Sequence, residues 1–329
     1  MNGAPILEVR NLDVAFATRR GSFHAVDGVN LDVRPGEILG LVGESGSGKS
    51  VTLRAILRLL RGNARVQGQV MFRGEDVLKM PESQMRNLRG GGIGIIFQEP
   101  MTALNPVLRI GTQIEESLAA HSARDAKARR QRAIALLQMV GIPSPEARLA
   151  NYPHEFSGGM RQRAMIAIAL AAEPAVLLAD EPTTALDVTI QDQILKLLRR
   201  LAGDLGMAMI LVTHDLGVVA ETCDRVTVMY SGRLAETAPV QALFGQPRHA
   251  YTHALLRSVP HGGVARTRLD SIQGQPPRQD APPDACAFAP RCAFARSACT
   301  QMRPAWVALA ADQASACLAR DELPDWRAR

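Results

Sequence analysis

The sequence predicts an α/β fold with a parallel sheet, and three observations lead to that prediction. An apolar run at 38–42 is followed by a glycine-rich turn and then by helix-forming residues. From residue 175 to residue 230, apolar runs alternate with helical patterns. Hydrophobic residues are 47% of the chain and charged residues 21%, which is typical of a globular protein. Strands that alternate with helices pair in parallel and carry the helices on their faces.

The elements are predicted in chain order from their apolar patterns. Alternation at 6–14 and 26–33 predicts an antiparallel β subdomain. Further strands are predicted at 38–42, 66–72, 92–97, 175–180, 207–213 and 224–230. Helices are predicted at 51–61, 189–203 and 215–221. Most of 110–172 has a helical pattern too long for a simple crossover, so we expect a helical subdomain at about 100–172.

The composition of the chain changes near residue 261. Residues 262–284 contain two adjacent glycines and four prolines, which predicts a linker. We therefore expect one domain at 1–260 and a C-terminal extension at 261–329.

Charge and hydropathy exclude several functional classes. The N-terminus lacks the apolar core of a secretory signal, and we expect no transmembrane span, because Glu173 and Pro174 interrupt the most apolar stretch. The net charge is +6, and its densest cluster, at 124–132, has the pattern of a solvated helix face. No nucleic-acid partner is expected, since basic residues do not form a stripe with interleaved aromatics.

The loop between the strand at 38–42 and the next helix fits the pattern G-x-x-x-x-G-K-[ST]. It consists of Gly43, Glu44, Ser45, Gly46, Ser47, Gly48, Lys49 and Ser50. Such a turn directs backbone N–H groups and a helix N-terminus at one point, which favours a polyphosphate. Lys49 is expected to reach the β- and γ-phosphates, and Ser50 to hold Mg²⁺.

Two further strands end in residues suited to phosphate chemistry. Asp180 and Glu181 end the strand at 175–180, where Asp180 is placed to hold Mg²⁺ and Glu181 to polarise an attacking water. His214 ends the strand at 207–213, at the edge of a parallel sheet where ligands bind. It is expected to contact the γ-phosphate or to orient the water.

A second glycine-bearing helix start follows Phe156. Ser157 is a suitable N-cap, and Gly158 and Gly159 allow a ligand to approach the backbone. One nucleotide rarely needs two such sites, so we expect this one to serve a nucleotide held by another subunit.

Together with Gln98 and Asp187, these motifs occur in an order that resembles the nucleotide-binding subunit of an ATP-binding cassette (ABC) transporter. The resemblance covers about residues 5–260 and implies a P-loop NTPase fold and ATPase activity. The loop glycines, Lys49, Ser50 and Val51 resemble the Walker A segment. Gln98 resembles the Q-loop residue that senses Mg²⁺ and the water, while Asp180 and Glu181 match the Walker B aspartate and the catalytic base.

The resemblance also assigns roles at a subunit interface. Asp187 matches the D-loop, and His214 matches the switch histidine. Ser157, Gly158 and Gly159 match the signature motif that caps the ATP of the opposing subunit, although Phe156 stands where leucine is usual. An aromatic residue stacks on adenine in this family, for which Phe16 is our choice and Phe23 the second.

Three stretches, at 98–106, 181–191 and 251–260, resemble the dipeptide/oligopeptide importer branch. Importers of nickel chelates and glutathione share much of these stretches and remain alternatives, because solute choice lies with other components. The branch implies a second ATPase subunit, two permeases, and indirectly an extracytoplasmic peptide-binding protein. The location implied is peripheral, at the cytoplasmic face of the cell membrane.

A soluble ABC ATPase acting on nucleic acid or ribosomes is disfavoured, because a second cassette and a long coiled coil are absent. A redox-responsive regulator is disfavoured because Glu181 is present.

Four cysteines lie near the C-terminus: Cys286, Cys292, Cys299 and Cys317. In a cytosolic chain such a cluster suggests metal rather than disulfides. Zinc ribbons usually pair cysteines about two to four residues apart, which these spacings do not match. Similar tails in dipeptide importer ATPases resemble a [4Fe-4S] site, while zinc and free thiols remain open. A structural role is favoured over docking or redox sensing.

Overall fold

The structure is a computed structural model that describes residues 4–19, 21–123, 125–184, 186–258, 271–277 and 284–327. The chain divides into two compact units. The carboxylate unit comprises residues 1–7, 33–38 and 72–212, and the phosphate-loop unit comprises residues 8–32, 39–71 and 213–329. The predicted domain boundary at 260/261 lies outside the described residues, as does most of the predicted linker, so the domain division stays a prediction.

The strands have the following bounds: β1 Leu7–Thr18, β2 Gly21–Val33, β3 Ile38–Val42, β4 Ala64–Phe72, β5 Glu75–Asp76, β6 Ile93–Ile96, β7 Val176–Asp180, β8 Ala208–Thr213, β9 Arg225–Tyr230, β10 Arg233–Pro239, β11 Val307–Ala310 and β12 Gln313–Ser315. The α-helices are α1 Lys49–Ile56, α2 Glu82–Gly91, α3 Pro100–Ala103, α4 Ile110–His121, α5 Ala126–Met139, α6 Pro145–Arg148, α7 Gly158–Ala169, α8 Val188–Leu205, α9 Leu216–Thr222, α10 Val240–Gly245, α11 Ala250–Ser258 and α12 Ser297–Gln301. Short 3₁₀ helices occur at Val77–Lys79, Pro153–Glu155 and Ala289–Arg291.

The carboxylate unit contains a parallel sheet in the order β6-β7-β8. All five residues of β7 are buried, which explains why its sequence is a continuous apolar run rather than an alternation. Helices α3 to α7 lie between β6 and β7 in the chain, where the helical insertion was predicted. The register places Asp180, the last residue of β7, opposite Val212 of β8.

The phosphate-loop unit contains two groups of strands. The long strands β2, β1 and β4 are neighbours in that order, which confirms the β subdomain predicted from alternation. β3 pairs in parallel with β9, and antiparallel pairing then continues through β10, β12 and β11. The sequence patterns did not reveal β10, β11 or β12, so the strands of the C-terminal tail are a finding of the structure.

The core of the phosphate-loop unit includes side chains from the C-terminal tail. Phe288, Cys317 and Trp326 are buried in the same cluster as Val226, Val228 and other residues of β9. The tail therefore packs as part of this unit through the hydrophobic effect, which favours the removal of its apolar side chains from water. Among the described residues, no helix is both long enough and apolar enough to cross a membrane.

Candidate active site

The phosphate loop requires glycine where helix α1 begins. Gly48 is the N-cap of α1 and has φ of +104°, in the left-handed region. A Cβ atom at this position would lie 2.4 Å from the backbone oxygen of Ala25. Any other residue would have to displace backbone, so glycine here maintains the close approach of the loop to its neighbour.

Lys49 is the charged group of this loop, and its residue is only 4% exposed. Its Nζ donates hydrogen bonds to the Gly43 oxygen at 2.7 Å, the Glu44 oxygen at 2.9 Å and the Ser47 hydroxyl at 3.3 Å. Hydrogen bonds from an ammonium to an ionised phosphate are stronger than those to neutral carbonyl or hydroxyl oxygens such as these three. Ser50 and Val51 continue α1 and are half-buried. The loop, its lysine and the helix N-terminus therefore form an anion-binding arrangement.

A cavity of about 210 Å³ lies beside the loop. Its lining comprises residues 44–47 together with Phe23, Ser231, Pro276 and Pro277. Phe23 is 37% exposed, which leaves ring surface available. Phe16, our choice for stacking on adenine, is half-buried in β1 and is not part of this lining. The assignment of Phe16 stays a prediction, with Phe23 second.

The carboxylates lie at the end of β7. Asp180 is fully buried, and the next residue, Glu181, has φ of +47°. A non-glycine residue in the left-handed region stores strain, which the surrounding structure must hold. The Glu181 N–H donates to the Val212 oxygen at 3.1 Å, so the neighbouring strand β8 fixes this turn.

The structure brings Gln98 and Glu181 together, although they are 83 residues apart in the sequence. The Gln98 Nε2 donates to Glu181 Oε2 at 3.2 Å, and the Thr184 hydroxyl donates to the same oxygen at 2.9 Å. These two bonds orient the carboxylate that was predicted to be the base. Sequence reasoning missed Thr184, whose only signal was its position in the polar turn after β7.

The second glycine-bearing helix start lies on the surface of the carboxylate unit. Ser157 is the N-cap of α7 and its hydroxyl accepts a hydrogen bond from the Met160 N–H at 3.3 Å. Ser157 and Gly158 are exposed, whereas Phe156 is only 2% exposed. The aromatic residue that replaces the usual leucine therefore packs inside the protein, and the loop remains accessible.

Asp187 and His214 each stand at an exposed helix or strand end. Asp187 caps α8, and its carboxylate accepts a hydrogen bond from the Ile190 N–H at 2.9 Å. His214 follows β8 and is exposed, and the next residue, Asp215, caps α9. Their roles toward a nucleotide stay predictions.

The four C-terminal cysteines line one small cavity, whose volume is about 10 Å³. Burial raises the pKa of the Cys286 and Cys317 thiols, and raises that of Cys292 to about 11. In the part of the chain that the structure describes, no three His, Cys, Asp or Glu side chains are grouped so that they could hold a metal ion. Four cysteine thiols are suitable ligands for an iron–sulfur cluster. The cavity between them is too small to hold one unless the side chains move apart. The structure therefore gives no support to the iron–sulfur prediction.

The comparisons with known proteins agree with the motifs. Residues 26–184 match the ABC transporter family, and residues 235–299 match the oligopeptide/dipeptide transporter C-terminal region. A peptide import ATP-binding protein of Brucella abortus is 49% identical over 315 residues, which are 95% of each chain. The dipeptide transport ATP-binding protein DppD of Bacillus subtilis is 48% identical over 91% of this chain and 90% of that protein.

Solved structures confirm the fold. The dimeric ATP-binding cassette MJ0796 bound to ADP and phosphate has a TM-score of 0.64 and 29% identity, covering 71% of this chain and 98% of that chain. CbiO1 of Clostridium perfringens, part of a CbiONQ transporter complex, has a TM-score of 0.63 and 29% identity, covering 74% of this chain and 91% of that one. The predicted α/β P-loop NTPase fold of the ABC type is thereby confirmed. The chain belongs to the ABC transporter family, as an ATPase subunit that carries the C-terminal region of the oligopeptide/dipeptide transporters.

Proposed function

We propose that this subunit powers the import of dipeptides or oligopeptides and acts at the cytoplasmic face of the cell membrane. The observation that carries the proposal is the match of residues 235–299 to the oligopeptide/dipeptide transporter C-terminal region. That match lies outside the segment shared by ABC transporters in general. Relatives named for peptide import, aligned over most of the chain, support the same substrate class.

In the proposed ATP site, the loop backbone at 43–48 and the ammonium of Lys49 bind the phosphates. Lys49 Nζ already lies among oxygen acceptors of its own loop, which places the ammonium where the loop backbone would hold the phosphates. Ser50, Gln98 and Asp180 are the proposed Mg²⁺ ligands, and their oxygen donors suit a hard cation. Mg²⁺, when bound, neutralises charge on the transferred phosphoryl group.

Glu181 is the proposed general base. It accepts a proton from the attacking water as the water oxygen bonds to the γ-phosphorus and the bond to the ADP oxygen breaks. The hydrogen bonds from Gln98 and Thr184 hold its carboxylate in one orientation, which supports this role. His214 is proposed to contact the γ-phosphate or to orient the same water.

The exposed signature residues are proposed to act on a nucleotide held by a second, different ATPase subunit. Ser157, Gly158, Gly159 and Asp187 would lie against that nucleotide when the pair closes. The exposure of Ser157, Gly158 and Asp187 in the single chain supports this, because a ligand carried by another subunit must approach from outside. Two permeases and an extracytoplasmic peptide-binding protein complete the proposed assembly.

We further propose that the four cysteines ligate a [4Fe-4S] cluster when the protein is assembled in the cell. The proposal rests on the resemblance of the four-cysteine tail to those of dipeptide importer ATPases, and the described part of the structure adds no metal-binding group to it. Anaerobic purification followed by iron and sulfide analysis tests it, with about four of each per chain expected. Protein that contains stoichiometric zinc, or no metal, would contradict the cluster.

The transport proposal is tested in two steps. First, the gently tagged chain is isolated from detergent-solubilised membranes, and two multi-span permeases and a second ATPase subunit should accompany it. Second, the reconstituted assembly is given its binding protein loaded with a dipeptide, a nickel chelate or glutathione. Stimulation of ATP hydrolysis by the dipeptide-loaded protein alone supports peptide import. Stimulation by either other ligand alone, or recovery with ribosomes, would overturn it.

A further inference from the structure

A side chain from the C-terminal tail contacts the phosphate loop. Arg291 forms two parallel hydrogen bonds with Glu44, from Nη1 to Oε2 at 2.8 Å and from Nη2 to Oε1 at 3.0 Å. The Arg291 side chain is 6% exposed and the Glu44 side chain 25%. Such a bidentate, largely buried pair has a fixed geometry and is weakly screened by salt.

The same loop residue has a second contact with the C-terminal half of the chain. The Glu44 backbone N–H donates to the Tyr251 hydroxyl at 2.9 Å. Tyr251 packs against Tyr230, with ring centroids 4.5 Å apart, and Arg291 donates to the Tyr230 hydroxyl at 3.2 Å. Glu44 is therefore held by its backbone through Tyr251 and by its carboxylate through Arg291, and Tyr230 contacts both of these side chains.

Glu44 in turn contacts the lysine of the loop. Its backbone oxygen accepts a hydrogen bond from Lys49 Nζ at 2.9 Å. The position of Glu44 therefore affects where the ammonium lies. Its carboxylate also carries a negative charge on the loop that is proposed to bind a polyphosphate. An uncompensated carboxylate there would repel the ligand, and the guanidinium of Arg291 compensates it.

We infer that Arg291 is a positioning residue for nucleotide binding, which acts by neutralising and fixing Glu44. The inference rests on the proposed assignment of residues 43–50 to the ATP phosphates. It gives the C-terminal tail a part in ATP affinity that neither the cassette motifs nor the tail sequence indicates.

The rival explanation is that Arg291 only attaches the tail. Arg291 also donates to the Gln273 oxygen at 3.0 Å, so its loss affects tail contacts as well as the loop. The two explanations differ in what the removal of the Glu44 charge does. If Arg291 acts on ATP through that charge, then Glu44→Gln should suppress the defect of an Arg291 variant. If Arg291 only attaches the tail, the substitution at Glu44 should give no rescue.

The experiment measures the Kd for MgATP of the full chain, and KM and kcat for ATP in the assembled transporter. Arg291→Gln should raise Kd and KM about tenfold, an energy of about 1.4 kcal/mol, and leave kcat within about twofold of wild type. Arg291→Lys keeps the charge but not the two parallel bonds, so its Kd should lie between those of the wild type and Arg291→Gln. The double variant Glu44→Gln/Arg291→Gln should return Kd to within about threefold of wild type.

Two controls separate the possible failures. Arg296→Gln removes a tail arginine that pairs with Glu322 on the surface, and it should not change Kd. Lys49→Ala should abolish MgATP binding, and if it does not, the proposed phosphate site is wrong. If Lys49→Ala abolishes binding but Arg291→Gln has the Kd of wild type, the inference about Arg291 alone is overturned. A double variant as weak as Arg291→Gln also overturns it.

If Arg291→Gln does not fold, Glu44→Gln still tests the inference on its own. Removal of the loop carboxylate should lower Kd, because the guanidinium of Arg291 then lies near the phosphates with no carboxylate to neutralise it. A tenfold weaker Kd in folded Glu44→Gln protein would contradict the role given to this charge.

Discussion

The two glycine-bearing helix starts differ in how far the protein encloses them. At the phosphate loop, Lys49 is buried among acceptors of its own loop, and Gly48 lies against backbone. At the signature loop, Ser157 and Gly158 are exposed, and a Cβ built on Gly158 would have its nearest neighbour, the side chain of Leu186, 3.7 Å away. One loop is complete within the chain, whereas the other presents its helix N-terminus to the outside.

This difference supports the proposal that the signature loop acts with a partner subunit, whereas the phosphate loop does not need one to bind its ligand. A loop with its own cation and a packed backbone can bind a phosphate ligand without help. An exposed N-cap with open space leaves room for a nucleotide held by a second subunit, as proposed above. Substitution of the packed Gly48 in the first loop should therefore affect folding and binding together, and substitution of Gly158 in the second should affect only the assembled enzyme.

The largest effect is expected for Gly48→Ala. The added Cβ would lie 2.4 Å from the Ala25 oxygen, at a φ that alanine rarely adopts. We expect a loss of roughly 3 kcal/mol in the free energy of unfolding, together with loss of MgATP binding. Urea denaturation and nucleotide titration of the full chain measure both quantities.

The matched control is Gly62→Ala, at an exposed position where an added Cβ contacts nothing within 4 Å. It should unfold and bind MgATP as wild type does. Normal binding by Gly48→Ala would show that the phosphate loop is not closely packed.

Glu181→Gln should separate chemistry from binding. Loss of the base is expected to lower kcat roughly 10²–10⁴-fold, since the amide cannot accept the proton of the water. The Kd for MgATP should stay that of wild type, because Glu181 lies outside the phosphate loop. Glu173→Gln, which changes an exposed carboxylate paired with Arg132, is the control and should keep full activity. Turnover near wild type in Glu181→Gln would remove Glu181 from the mechanism.

Gly158→Ala tests the signature loop. There is room for the methyl group, so the melting temperature should not change. ATP hydrolysis by the assembled transporter should fall roughly tenfold, because the methyl group displaces the partner's nucleotide from the helix N-terminus. Unchanged hydrolysis in the assembly would mean that this surface does not contact a nucleotide.

A further difference in stability concerns two buried groups of the phosphate-loop unit, Glu236 and His249. Glu236 accepts hydrogen bonds from the backbone N–H groups of Arg248 and His249, at 2.7 and 2.9 Å. Desolvation raises the pKa of Glu236 to about 7, and lowers the pKa of His249 to about 4. Stability from Glu236 is present at low pH and lost as the pH rises through 7. Stability from His249 is lost as the pH falls from 6.5 through 4.

Between pH 7 and pH 5 the two contributions have opposite signs, so they offset one another in the wild type. Glu236→Gln removes one of them. This variant should lose about 2 kcal/mol more of its free energy of unfolding than the wild type does between these pH values. Urea denaturation at both pH values measures the difference. If the free energy of unfolding changes equally in the two proteins between these pH values, burial does not raise the pKa of Glu236 as described.

The motifs that depend on local order could be predicted from the sequence. The phosphate loop, the end of β7 and the N-cap of α7 each follow from a short pattern at a strand or helix boundary, and the structure places them there. Strands β7, β8 and β9 were predicted almost to the residue, because all three are buried and the apolar runs of β7 and β8 are nearly continuous.

The contacts that depend on tertiary packing could not be predicted. Arg291 and Tyr251 meet Glu44 across 247 and 207 residues, and no periodicity connects such positions. The strands β11 and β12 are short, and every second residue of β11 is exposed. Their sequence patterns therefore resembled those of a loop. Thr184 was missed because its role appears only once the turn after β7 brings it to Glu181.

The most direct test of the account is a calorimetric titration of MgATP into the isolated full chain, in three forms. The wild type and Gly158→Ala should bind with the same Kd, and Lys49→Ala should not bind. That result would establish that the phosphate loop binds ATP in the isolated chain and that the signature loop does not contribute to this binding. If Gly158→Ala weakens binding in the isolated chain as much as Lys49→Ala does, the division of roles between the two loops is wrong.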